Sequence, residues 1–72
     1  MPHIRKVWFD KGQFDFAREF PCESDEQARR IFNNLREQYQ IEQRHDVKPI
    51  SQNKYAMTHY NGMMVINVEL HL

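Results

Sequence analysis

Two runs that read as β-hairpins, separated by an amphipathic helix with its own start signal, account for nearly all of this chain and leave little room for another fold. In the second run Asn61-Gly62 stands between Tyr55–Tyr60 and Met63–Leu70, and Asn-Gly is the pair that a two-residue type I′ turn favours, because both central residues need φ > 0. That turn pairs Tyr60 with Met63, Met57 with Ile66 and Tyr55 with Val68. One face then carries Tyr55, Met57, Met64, Ile66, Val68 and Leu70. The other sets Lys54 against Glu69, Ala56 against Asn67, Thr58 against Val65, and Tyr60 beside Met63.

The first run places His3–Phe9 and Gln13–Phe20 on either side of Asp10-Lys11-Gly12. Lys is a poor first residue for a type I′ turn, so the segment predicts a three-residue loop with Gly12 at positive φ as a bulge. Ile4, Trp8, Phe14, Phe16 and Phe20 then share a face with Lys6 and Arg18, and Arg5, Val7, Phe9, Asp15, Ala17 and Glu19 share the opposite one. A two-residue loop would instead bring Val7 and Phe9 to the phenylalanines and turn Trp8 outward.

Between the runs, Ser24 is an N-cap with Gln27 three residues on to complete a capping box, and Asp25 and Glu26 lie in the positive first turn. Ala28, Ile31, Phe32, Leu35 and Tyr39 recur at helical spacing, and the helix is predicted to run to about Gln43, before the polar stretch that contains Pro49. The expected fold is α+β in the order ββαββ: a four-stranded antiparallel sheet with one helix packed on one face, residues 1–72 forming a single domain. Strand order is left open. The expected core is Ile4, Trp8, Phe14, Phe16, Phe20, Ile31, Phe32, Leu35, Tyr39, Met57, Ile66 and Val68.

Charge excludes some functions. Ten Lys and Arg balance ten Asp and Glu, and the balance holds within each third of the chain, so the basic footprint of a nucleic-acid or anionic-membrane binder is missing. Cys22 is the single cysteine and no apolar run approaches membrane-spanning length, which points to a cytoplasmic protein without an intrachain disulfide, or to the host cytoplasm if the chain is viral.

Candidate chemistry is sparse. His3, His45, His59 and His71 show no ligand spacing on a common face, and no metal or other cofactor is expected. Cys22 precedes a helix N-terminus, an environment that can activate a thiol, but no His lies in sequence reach to act as base. The start Met1-Pro2-His3-Ile4 and the string Ser24-Asp25-Glu26-Gln27 resemble fragments of the tautomerase superfamily, over eight residues in two pieces. That resemblance implies the Pro2 amine as catalytic base once Met1 is removed, although in that family the helix follows the first strand directly. Helix arginines could hold phosphate, and Phe9 or Tyr60 could stack bases on an open sheet. Asp25 to Arg29 and Glu26 to Arg30 are instead spaced to pair locally.

What remains is apolar surface on the sheet face away from the helix: Val7, Phe9, Ala17, Ala56, Tyr60, Met63 and Val65. A chain of 72 residues sits near the size where one core only just offsets the entropy of ordering it, which favours burial against a partner or a second copy. Aromatic residues and Met are enriched at such interfaces. The expectation is a non-enzymatic protein-binding module without small-molecule substrate or membrane, of the kind a phage or mobile element encodes as an inhibitor or adaptor with anti-defence action that occupies a host protein, or one that pairs with itself as a homodimer. A nucleic-acid-binding regulator is the alternative, and the proline tautomerase the third.

Overall fold

The computed structural model describes residues 1–42 and 46–72. Among them the order is β1 (His3–Asp10), β2 (Gln13–Pro21), α1 (Asp25–Gln38), β3 (Lys48–Ser51), β4 (Lys54–Asn61) and β5 (Met64–His71). The α+β class is as expected, but the sheet has five antiparallel strands, in the order β2-β1-β5-β4-β3. The two expected hairpins join through β1 and β5, which lie side by side. The added strand, β3, is four residues long and contains Pro49, features that confine a strand to a sheet edge and hide it from a search for alternating runs.

Both expected turns differ in detail. Lys11 and Gly12 alone separate β1 from β2, with φ of +53° and +80°, the sign pattern of a type I′ turn. The Lys11 N–H donates to the Met63 carbonyl at 3.1 Å, which ties this turn to the neighbouring one. The bulge falls in β2 instead: Phe9 pairs with Phe14 and Trp8 with Phe16, leaving Asp15 as the extra residue. Trp8 therefore keeps the helix side that a three-residue loop predicts, while Phe14 crosses to the side of Phe9.

Asn61 pairs with Met64, so the β4–β5 loop is Gly62-Met63 with only Gly62 at positive φ, +64°; this is the type II′ pattern, not the expected type I′. Met57 now faces Val68 and Tyr55 faces Leu70. Every partner moves by two residues, which is one full side-chain period, so the predicted faces survive. The Lys54–Glu69 pair does not, because Lys54 lies opposite His71 and Glu69 opposite Ala56.

Ser24 caps α1 as expected, its Oγ accepting the Gln27 N–H at 3.1 Å; Gln27 Oε1 reaches back to the Glu23 N–H at 2.7 Å, one residue earlier than in a standard capping box. The helix stops at Gln38, short of the predicted end near Gln43. Gln40 takes φ +58°, its N–H bonds to Glu37 O, and the Ile41 N–H bonds to Arg36 O, a Schellman closure that no glycine advertised. Gln43 and His45 lie outside the described residues.

The helix packs on β5 and β1, and the core beneath it is Ile4, Cys22, Ala28, Phe32, Ile41, Met57, Val68 and Leu70. Ile31, Leu35, Tyr39 and Ile66 pack against it. Every residue of β2 is exposed, because the helix does not reach that edge. Phe16 and Phe20 thus leave the expected core, at 40% and 42% exposure, and Phe14 leaves it by crossing to the side of Phe9, at 63%. Trp8 stacks on Phe16 at 4.4 Å between ring centroids rather than under the helix.

Candidate protein-binding surface

Strand alternation divides the sheet into a face under α1 and an open face. Ile4, Met57, Val68 and Leu70 point to the helix, so Arg5, Val7 and Phe9 on β1, Ala56, Thr58 and Tyr60 on β4, and Val65, Asn67 and Glu69 on β5 point away. The register sets these into rows across the strands. Phe14, Phe9, Val65 and Tyr60 form the row nearest the turns, with Met63 in the turn beside it. Ala17, Val7, Asn67 and Thr58 form the next, where Thr58 Oγ1 and Asn67 Oδ1 lie 2.7 Å apart. Glu19, Arg5, Glu69, Ala56 and Lys48 form the third.

The open face is apolar at its turn end and charged at the other. Arg5 lies 3.7 Å from Glu69 and 4.0 Å from Glu19, and His71 Nε2 approaches Glu69 Oε1 to 2.8 Å. His3 stacks on His71 with centroids 4.4 Å apart. At the turn end Phe9 meets Phe14 edge to face at 6.3 Å, and Tyr60 and Met63 are 73% and 66% exposed. Against β3 the face dips into a groove of about 440 Å³ lined by Asp46, Lys48, Ile50, Ala56, Thr58 and Tyr60, with Met57 at its floor.

All seven residues singled out in the sequence therefore lie on the open face or in its turn, but they are not equivalent. Val7 is only 6% exposed and offers little to a partner. Phe9, Ala56 and Val65 are half-buried, and Ala17, Tyr60 and Met63 are exposed. The sequence reading missed Phe14 and Lys48. The signal for Phe14 was the two-residue Lys11-Gly12 loop, which demands a compensating bulge if Trp8 is to keep its side.

Other candidate groups are accounted for locally. His3 and His71 do share a face, contrary to expectation, whereas His59 lies under the helix end, stacked on Tyr39 at 4.1 Å. Among the described residues no group of three or more His, Cys, Asp or Glu is arranged to hold a metal ion. Cys22 is 2% exposed within the core and its thiol faces the Phe20 carbonyl at 3.6 Å. Pro2 is half-buried, and its carbonyl accepts the Cys22 N–H at 2.9 Å. Glu26 and Arg30 pair at 3.5 Å as predicted, but Asp25 and Arg29 do not come within ion-pair distance. Arg29 instead borders a groove of about 230 Å³ with Phe32, Asn33, Val47, Tyr55 and Leu70. No helix among the described residues is long and apolar enough to cross a membrane.

Comparison of the chain with protein-family models, curated proteins and solved structures finds no match.

Proposed function

We propose that the chain is a non-enzymatic protein-binding module that docks through its open sheet face. The observation that carries this reading is the apolar row Phe14, Phe9, Val65 and Tyr60 with Met63, which spans four strands on the face turned away from α1. Contiguous apolar surface of this kind in a small domain marks an interaction site more often than scattered exposed residues do. An inhibitor or adaptor of the sort mobile elements direct at host proteins is the form suggested by small size and by the lack of a catalytic motif. The test is affinity capture with the native chain, Phe9→Glu and Val65→Glu, each checked for fold by circular dichroism. Loss of more than ~2 kcal/mol of binding in the sheet-face variants is expected, since each buries a charge against apolar surface. Unchanged capture by both, or loss only in Arg29→Ala, Arg30→Ala and Arg36→Ala, removes the reading.

One observation favours a second reading. On the helix side of β1 and β2, Lys6 and Arg18 lie opposite each other beside the Trp8–Phe16 stack, and neither has a carboxylate within ion-pair distance among the described residues. Lys6 Nζ sits 5.0 Å from the Trp8 ring centre and the Arg18 guanidinium 5.9 Å from that of Phe16. Cations alternating with stacking rings suit single-stranded nucleic acid. Binding that collapses between low and moderate salt, and that Lys6→Ala weakens, supports it; a flat salt response rejects it.

A further inference from the structure

We infer that the occupant of the open face is a second copy of this chain, bound face to face about a two-fold axis parallel to β5. The inference rests on the reading of that face as a docking surface and adds the partner and the geometry. β5 is the middle strand of five, so such an axis sets β5 over β5 of the second copy, β1 over β4, and β2 over β3, with each strand end over the same end. Three matches follow from the rows. Val65 meets Val65 on the axis, and Phe9 meets Tyr60 of the second copy twice. In the charged row, which reads Glu19, Arg5, Glu69, Ala56, Lys48 from β2 to β3, Glu19 falls over Lys48 of the second copy, also twice. The sheet is thus acidic at one edge of this row and basic at the other, which is the asymmetry that an isologous contact uses.

Glu69 falls on its own mate, but each is already flanked by Arg5 at 3.7 Å and His71 at 2.8 Å, so the like charges meet as members of compensated clusters. The other face-to-face axis, perpendicular to the strands, lays the Phe9 row over the Glu69 row and opposes ring to carboxylate. Only the parallel axis joins apolar to apolar and acid to base. Stacked sheets lie ~10 Å apart, within reach of Glu and Lys side chains from both sides. Four strands of eight or nine residues and one of four, ~4.8 Å apart, give a footprint of roughly 590 Å² per copy, at the lower edge of the roughly 600–1,000 Å² per partner of stable interfaces.

The experiment is sedimentation velocity over a wide concentration range on the native chain and on Glu19→Lys, Lys48→Glu and Tyr60→Glu, the last at a 73% exposed position where the fold is not at stake. A native dimer dissociating in the micromolar range is expected, and Tyr60→Glu should weaken it by at least tenfold. Each charge variant alone opposes like charges at two contacts and should weaken the dimer by about tenfold. An equimolar mixture of Glu19→Lys and Lys48→Glu should recover native affinity as a heterodimer, because both contacts then regain opposite sign. A native chain that stays monomeric overturns self-pairing, and capture of another protein that Phe9→Glu abolishes would still leave the docking face standing. A dimer that neither responds to Tyr60→Glu nor recovers on mixing overturns the proposed geometry.

Discussion

Among the described residues Lys11, Gln40 and Asn53 carry positive φ without being glycine, and each closes a turn or a helix end. A side chain in the left-handed region costs ~1–2 kcal/mol, because Cβ crowds the following carbonyl. Replacing Gln40 with Gly, at the closure of α1, should therefore raise stability by about 0.5–1 kcal/mol in denaturant unfolding, after allowance for the looser unfolded chain. Lys11→Asn should gain a similar amount, since Asn tolerates this region and Asn-Gly is the favoured type I′ pair. The two sites lie on separate elements, and their effects should add. At the other turn Gly62 alone needs positive φ, and space around its Cβ position is open. Gly62→Val should accordingly lose ~1–2 kcal/mol from backbone strain, against less than about 0.5 kcal/mol for Asn61→Asp, which sits in extended pairing. Equal losses would return Asn61 to the turn centre.

For the elements, the decisive question is what α1 covers. Phe32 is 4% exposed in the core and Phe20, on the uncovered edge strand, is 42% exposed. Phe32→Ala should cost about 3–5 kcal/mol and Phe20→Ala less than about 1.5 kcal/mol, read as shifts in urea midpoint at constant slope. Comparable losses would place the helix over β2 after all. This difference also shows what the residues could and could not reveal. The helix start was readable because Ser24, Gln27 and the first-turn acids act within one turn of chain. In the second hairpin the faces are as expected because moving the turn by one residue moves every partner by two, one full side-chain period. Three things were hidden: β3, too short and Pro-containing to alternate; the Asp15 bulge, which depends on pairing with β1; and the coverage of the helix, narrower than the sheet. Phe16 and Phe20, expected in the core, lie at the surface for that last reason, and Phe14 because the two-residue turn sets it opposite Phe9. Lys48 entered the candidate site only with β3, so the charge match across the sheet was not visible along the chain.

Paired as inferred, the two copies would lend each other part of the burial that 72 residues supply sparingly, and folding would become coupled to association. Above the dissociation constant, each tenfold rise in concentration adds ~1.4 kcal/mol per dimer, or ~0.7 kcal/mol per chain. For a domain of this size 1 kcal/mol moves the melting midpoint by about 4–8 °C. Thermal unfolding of the native chain should thus shift upward by ~3–6 °C per tenfold increase in protein concentration, followed by circular dichroism or calorimetry. Glu19→Lys should lower the curve at high concentration and leave it unchanged at low, because Glu19 is exposed and its 4.0 Å contact with Arg5 contributes little within one chain. The equimolar mixture with Lys48→Glu should return the native slope. A midpoint independent of concentration in all three samples would mean that the chain completes its fold alone and that its open face is kept for a different protein.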